Sequence, residues 1–254
     1  MSKKVMKIAL PVMAVALLIA FWWIAAIYNP VLAGPIDTIN RFIELTERPL
    51  MGTSLGLHIL ASLRRILKAF IYASVIGITL GVCFGIFPTF RRVVYPIFAI
   101  LRPIPPLAWI PIVVLWTGLS GDTSKVIIIF IGIVMAIVIN TNVATSTTDE
   151  LLIKAAHTLG ANKRQIFFDV TLPNAIPTIL AGMKTGLSTG WMSLVAAEMI
   201  ASREGIGFMI NQSMMMSDIA LDFVGIILVA LSSSILTIVL TMIERRLCPW
   251  LSLN

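Results

Sequence analysis

Asp149-Glu150-Leu151-Leu152-Ile153-Lys154-Ala155-Ala156-His157-Thr158-Leu159-Gly160, continuing to Val170-Thr171-Leu172-Pro173, is a polar island between two long apolar stretches. Its chemistry is that of a small solvent-facing helix and turn. Glu150 and Lys154 stand four residues apart with the acid first, the better order for a pair on a helix surface. Thr148 or Asp149 is placed to cap the first turn. Ala155 and Ala156 leave a slim patch open to close approach, and Gly160 is placed to end the helix in the left-handed conformation. Residues 162–169 predict a second short helix, after which Leu172, Pro173 and Pro177 turn the chain back into the apolar phase. A hydrophobic chain that keeps a patterned polar loop of this size is presenting it to a partner.

The rest of the chain sets what the island interrupts. Of 254 residues, 58% are hydrophobic and 12% charged, about half the charged fraction of a soluble domain, and the mean hydropathy is +0.98. A helix needs about 20 apolar residues to cross a bilayer. Such stretches lie near 8–28, 66–88, 93–116, 125–144, 177–200 and 221–243. The reading is an all-α polytopic membrane protein: one transmembrane domain over 1–254, with six spans and a loop over 145–176 between the fourth and fifth. The stretch 8–28 follows Lys3, Lys4 and Lys7, but it is too long for a signal-peptide core and has no convincing cleavage site, so it reads as a retained first span.

Six spans put both termini on one side. Lys3, Lys4, Lys7, Arg91, Arg92, Lys154, Lys163, Arg164, Arg245 and Arg246 fall on that side, against Arg41, Arg48, Arg64, Arg65, Lys68, Lys125 and Arg203 on the other. The excess predicts cytoplasmic termini and loop. Arg64, Arg65 and Lys68 are the awkward group: they either snorkel at the outer edge of the second span or sit on an interfacial helix over 55–66. Residues 35–48 carry Ile36, Ile39, Phe42 and Ile43 near one helical face, with Asp37 as a cap, and predict a helix lying on the outer membrane surface, either as a docking surface or as a plain connector. The net charge of +7 is spread in short groups beside apolar runs, with no nucleic-acid-binding motif. Cys83 and Cys248 are too few for a metal site, and His58 and His157 are isolated.

Here the island resembles the cytoplasmic "EAA" loop of ABC-transporter importer permeases, whose pattern is Glu-Ala-Ala, three residues, Gly, nine residues, Ile, one residue, Leu-Pro. Ala155, Ala156, Gly160, Leu172 and Pro173 match at that spacing, while Lys154 stands at the Glu position and Val170 at the Ile position. Two further blocks look like the nitrate/sulfonate/taurine/bicarbonate branch. They are Leu101-Arg102-Pro103-Ile104-Pro105-Pro106-Leu107-Ala108-Trp109-Ile110-Pro111 with Leu115-Trp116-Thr117-Gly118, and Val195-Ala196-Ala197-Glu198-Met199-Ile200 with Gly205-Ile206-Gly207.

The resemblance implies a multi-pass component of the cell inner (plasma) membrane. Its loop residues Asp149, Glu150, Lys154, Ala155, Ala156, Gly160, Leu172 and Pro173 would form a coupling helix seated in a cytoplasmic ATPase. It implies as partners two such ATPases, which carry the ATP and magnesium, a second and identical permease subunit, and a periplasmic or lipid-anchored solute-binding protein. The substrate implied is a small anion of the sulfonate/taurine, nitrate or bicarbonate type; permeases for heterocyclic or vitamin-precursor solutes belong to the same branch. The charge reversal at Lys154 means that an ion pair made by the family's Glu does not carry over. The chain has no Gly-x-x-x-x-Gly-Lys-[Ser/Thr] phosphate loop, so ATP-driven transport would take its energy from a partner.

Candidate pathway residues are those whose polarity is costly at membrane depth. Arg102 lies among Pro103, Pro105, Pro106 and Pro111, where broken helix is tolerated only against protein or water. It reads equally as an anion-attracting group or as a cation bonded to freed carbonyls. Lys184 faces the same choice, with snorkelling favoured, and Ser188 follows it one turn on. Gly182, Gly186 and Gly190 read first as a packing stripe. Trp109 and Trp116 are pathway walls or interface anchors, Asn140 links the fourth span to the loop or caps backbone, and Glu198 gates the path or bonds to the turn at 205–207. A rival, ion-driven secondary transport, wants midplane carboxylates that the third and fourth spans lack. An intramembrane enzyme wants a paired nucleophile and base, and no such spacing occurs.

Overall fold

Small residues at four-residue intervals let helix backbones approach closely, and this chain carries two such rows. The computed structural model describes residues 3–29, 31–118 and 121–250, and the side chains of Lys3, Lys4 and Lys7 lie outside the description. Its centre is three helices: α3 (Leu55–Ile86), α6 (Asp122–Ser146) and α9 (Leu172–Ala201). On α3, Gly77 faces Ile137, Gly81 faces Thr141 and Gly85 faces Thr145, so α3 and α6 lie against each other along their length. On α9, Gly182 faces Asn140, while Gly186 and Gly190 face Ile133. The stripe predicted for packing does pack. The Gly77–Gly81–Gly85 row carries the same four-residue signal and does as much. Thr189 Oγ1 donates to the carbonyl of Gly132 at 2.8 Å, a bond between α9 and α6 open only where no side chain intervenes. Ile66, Ile129, Ile133, Ile137, Leu187 and Leu194 fill the space between the three helices.

Around this core run α1 (Lys3–Tyr28), α2 (Pro35–Glu47), α4 (Pro88–Leu101), α5 (Ile110–Thr117), α7 (Glu150–Thr158), the short α8 (Lys163–Gln165), α10 (Ile206–Met216) and α11 (Ile219–Leu247). Among the described residues, four helices are long and apolar enough to cross a membrane: α3, α6, the continuous run Lys163–Ala201 and α11. The predicted span over 93–116 is instead α4 and a second helical piece, Pro106–Thr117, bent by 88° between them. Pro103, Pro105 and Pro106 cause the break, because each lacks the N–H that a continuing helix needs. The stretch 8–28 read as a first span falls within α1, in which the described residues Val12–Tyr28 form a shorter apolar helix.

Two boundaries differ from expectation. The second span was expected from residue 66, but α3 begins at Leu55, so Arg64, Arg65 and Lys68 lie inside the helix. The return of the chain at Leu172, Pro173 and Pro177 is no turn. Residues Ile166–Thr171 form a π-helical turn that runs straight into α9, and Leu172 N–H bonds to Phe167 O. Pro173 follows this turn as the second residue of α9.

Helix α2 forms where the amphipathic pattern put it. Asp37 Oδ2 accepts the Gly34 N–H at 2.9 Å, Thr38 and Leu45 are buried, and Ile36, Ile39, Phe42 and Ile43 stay exposed. Arg41 fixes it to the α10–α11 turn through Asp218 at 2.7 Å.

A Cβ at position 81 would lie 2.4 Å from Thr141 Cβ and 2.9 Å from the Val138 carbonyl. Gly81→Val is therefore expected to destabilise by about 1–3 kcal/mol, read as a lowered thermal unfolding midpoint of the reconstituted protein. Gly56, with nothing within 4 Å of its would-be Cβ, serves as control: Gly56→Ala should hold or raise the midpoint, by up to about 1 kcal/mol. Equal midpoints for the two variants would contradict the close packing.

Candidate functional site

The loop between α6 and α9 is built from local signals. Asp149 caps α7 by accepting the Leu151 N–H at 2.9 Å, and Glu150 pairs with Lys154 at 2.8 Å on its open surface. Gly160 takes φ +82°. Its N–H bonds to His157 O, and the next N–H, of Ala161, bonds to Ala156 O, both at 3.0 Å, the paired closure that a left-handed glycine allows. Asn162 caps α8 by accepting the Arg164 and Gln165 N–H groups, and Gln165 Oε1 in turn accepts the Asn162 N–H at 2.8 Å. Helix α7 buries none of its residues. Ala155 is exposed and Ala156 half-buried, while Leu172 and Pro173 are half-buried at the foot of α9. Leu151 is 73% exposed and Leu159 87%. A capped, closed helix therefore presents bare leucines to solvent.

The pathway candidates do not gather in one place. Arg102 lies at the 88° bend, exposed, and makes no side-chain hydrogen bond or ion pair among the described residues, so it does not hold freed carbonyls. Trp109 is half-buried against Ile110, Val113, Ile128 and Ala197, whereas Trp116 is exposed. Asn140 donates to Ala136 O of its own helix at 2.8 Å and seats Gly182. Lys184 is ion-paired with Glu244 of α11, where snorkelling was favoured. Ser188 is exposed and bonds to Lys184 O at 3.2 Å.

Glu198 is the candidate with the densest surroundings. Its side chain is fully buried. Oε1 accepts from Arg65 Nη1 at 2.8 Å, Oε2 accepts the Gly207 N–H at 2.9 Å, and Ser62 Oγ lies within 2.9 Å of both oxygens. Gly205 has φ +120°, and a Cβ there would meet the Glu198 carboxyl carbon at 2.4 Å; only glycine fits. His58 Nδ1 accepts the Gly205 N–H at 3.0 Å, and Ser62 Oγ accepts the Ile206 N–H at 2.8 Å. Bonding to the turn at 205–207, one of the two roles read for Glu198, is what its geometry does.

Arg65 was missed. Expected to snorkel or to lie at the interface, it is 2% exposed. Besides Glu198 it meets Asp122 Oδ1 at 2.7 Å, Glu204 Oε1 at 3.1 Å and the Glu204 carbonyl at 2.8 Å. The physical reason is the earlier start of α3, which places Arg65 on the face turned to α6 and α9. Its partners stand 57, 133 and 139 residues away, beyond any local pattern; the one sequence clue was a basic side chain with no water-facing loop to hold it.

Removing one partner of a buried ion pair leaves the other uncompensated, at about 3–5 kcal/mol. Arg65→Met and Glu198→Met should each lower the unfolding midpoint strongly, and the double variant should lose clearly less than the sum. Additive losses in that double-mutant cycle would refute direct coupling.

Residues 73–249, which include α6, the loop, α9 and α11, match the family described as binding-protein-dependent transport system inner membrane component. The taurine transport system permease protein TauC of Escherichia coli is 34% identical over 251 residues, covering 96% of this chain and 90% of that protein. The nitrate import permease protein NrtB of Synechocystis is 35% identical over 232 residues, covering 87% and 84%. The putative aliphatic sulfonates transport permease protein SsuC of Bacillus subtilis is 30% identical over 239 residues, covering 92% and 85%. A chain of the inward-facing MetNI methionine ABC transporter shares the fold, with a TM-score of 0.65 over 75% of this chain and 94% of that one at 20% identity. The chain belongs to the binding-protein-dependent transport system inner membrane component family: it is an ABC-type permease, a transporter component and not an enzyme.

Proposed function

We propose that this chain forms half of the translocation pathway of an ATP-driven importer for a small anionic solute of the sulfonate, taurine or nitrate kind. The substrate class rests on the relatives named for taurine, nitrate and aliphatic sulfonates. None of those names favours a heterocyclic solute. A second copy of the chain supplies the other half, two ATPases bind ATP and magnesium on the cytoplasmic side, and an extracytoplasmic binding protein delivers the solute. Both termini and α7 face the cytoplasm.

The observation that carries the reading is α7 itself, closed at both ends and displaying Leu151 and Leu159 to solvent. Exposed apolar side chains on a rigid helix gain free energy only by meeting a partner. Because Lys163–Ala201 is one 39-residue helix, displacement at the loop passes to the membrane end as tilt of a rod. Thr185, Ser188 and Met192 form an exposed stripe along α9, suited to the seam between two copies, where hydroxyls meet water or a facing helix. Secondary transport is disfavoured by the state of Glu198, the one buried acid among the described residues, which Arg65, Ser62 and Gly207 already hold.

Leu151→Asp with Leu159→Asp is expected to reduce co-purification of the ATPase by at least about tenfold and to abolish stimulated ATP hydrolysis, with the unfolding midpoint of the permease unchanged. Undiminished co-purification would remove α7 as the docking element.

A further inference from the structure

Arg65 turns inward from α3 to α6 and α9, and it leaves two basic neighbours behind. Arg64 and Lys68, one helical turn apart, stay exposed on the other side of the helix. Neither makes a hydrogen bond or ion pair among the described residues. Asp122 lies near enough to Lys68 to interact through space, but its Oδ1 is given to Arg65 at 2.7 Å. The face around the two cations is apolar: Leu60, Leu67, Ile71, Tyr72 and Val75 are exposed by 43% to 64%.

The depth of this pair follows from what lies beside it. Arg65 meets Asp122, the first residue of α6, and Glu204, just past the end of α9 at Ala201. Helix α3 therefore passes this level where two other apolar helices stop. From Lys68 to its end at Ile86, α3 rises about 27 Å, close to the ~30 Å of a bilayer's hydrocarbon core. Arg64 and Lys68 thus stand where acyl chains give way to headgroups, at the end opposite α7. Side chains on a helix lean toward its N-terminus, and the N-terminus of α3 points out of the membrane here. Both cations accordingly reach to the phosphate level. A charge at this depth needs water or an anion. A lipid phosphodiester is such an anion: the guanidinium takes two of its oxygens in a fork, and the ammonium adds a point charge one turn deeper.

We propose that Arg64 and Lys68 form a binding site for an anionic phospholipid, its phosphodiester held between the two cations and an acyl chain laid along Leu67, Ile71 and Val75. Two positive charges side by side select a headgroup of net negative charge. The ammonium of a zwitterionic lipid would be repelled by whichever cation its phosphate leaves free. Asp122 and Glu204, the acids that could receive that ammonium, each give an oxygen to Arg65. With α7 in the cytoplasm, the lipid belongs to the outer leaflet. The site is independent of the solute carried and of the ATPase.

The test is native mass spectrometry of the full chain in detergent, titrated with phosphatidylglycerol, phosphatidylcholine and, as a soluble phosphate, glycerol 3-phosphate. The first phosphatidylglycerol is expected to bind at least about tenfold tighter than the first phosphatidylcholine, and glycerol 3-phosphate should not displace it. Arg64→Gln and Lys68→Gln should each weaken that first event about fivefold, and together they should bring the two lipids to near-equal affinity. Lys68→Arg, which keeps the charge, should keep the preference. Arg245→Gln with Arg246→Gln removes two charges at the far end of α11 and should leave the first event unchanged. Equal affinity of the two lipids for the unaltered chain, or an undiminished preference in the Arg64/Lys68 double variant, would overturn the site. So would an equal loss in the Arg245/Arg246 control, which would show attraction by net charge alone. Displacement by glycerol 3-phosphate would make it a site for soluble anions, and no saturable binding of either lipid, as when a second copy covers this face, would remove it. Each of these results leaves ATP-driven uptake untouched.

Discussion

A guanidinium 2% exposed must be paired on every side, and the way Arg65 meets that demand organises one end of this protein. Desolvating such a charge costs several kcal/mol, recovered only through good geometry and full hydrogen bonding. Three carboxylates and one carbonyl answer it, from the start of α6, the end of α9 and the turn before α10. The same Glu198 that neutralises Arg65 holds the Gly207 N–H, and His58 holds that of Gly205. One buried pair thus sets the positions of four elements.

The opposite end follows another rule. There, glycines on α3 and α9 bring backbones together and leave the loop to organise itself with local caps. Loop and cluster are joined by two unbroken helices, α6 and the run Lys163–Ala201. At 1.5 Å per residue the second is about 58 Å long. The π turn at Ile166–Thr171 keeps it unbroken past Pro173 and is the weakest part of its hydrogen-bond ladder. Bending there, in the proposed mechanism, would decouple the loop from the pathway.

How much was legible in the sequence divides along the range of the interactions. Asp149, the Glu150–Lys154 pair and Gly160 act within a helical turn, so their spacing sufficed. The same holds for Asp37 and the amphipathic α2, and for Gly182, Gly186 and Gly190, whose period is that of the helix itself. Arg65 was misread because its environment is made by residues up to 139 positions away, and a single sequence gives no register between α3 and α9. The partner of Lys184 was unreadable for the same reason, Glu244 being 60 positions on. The proline-rich run near Arg102 signalled a break without its angle, because hydrogen-bond loss fixes where a helix stops but not where the next one points. The Arg65 cluster as a whole was invisible: its residues appeared only as scattered charges in the count of sides.

ATP-driven import is tested by solute accumulation in proteoliposomes containing the permease, its ATPase and the binding protein, energised by ATP alone with ion gradients collapsed. Uptake against a gradient is expected, needing all three components and lost when α7 no longer docks. Accumulation that follows a proton or sodium gradient and is indifferent to ATP would contradict it.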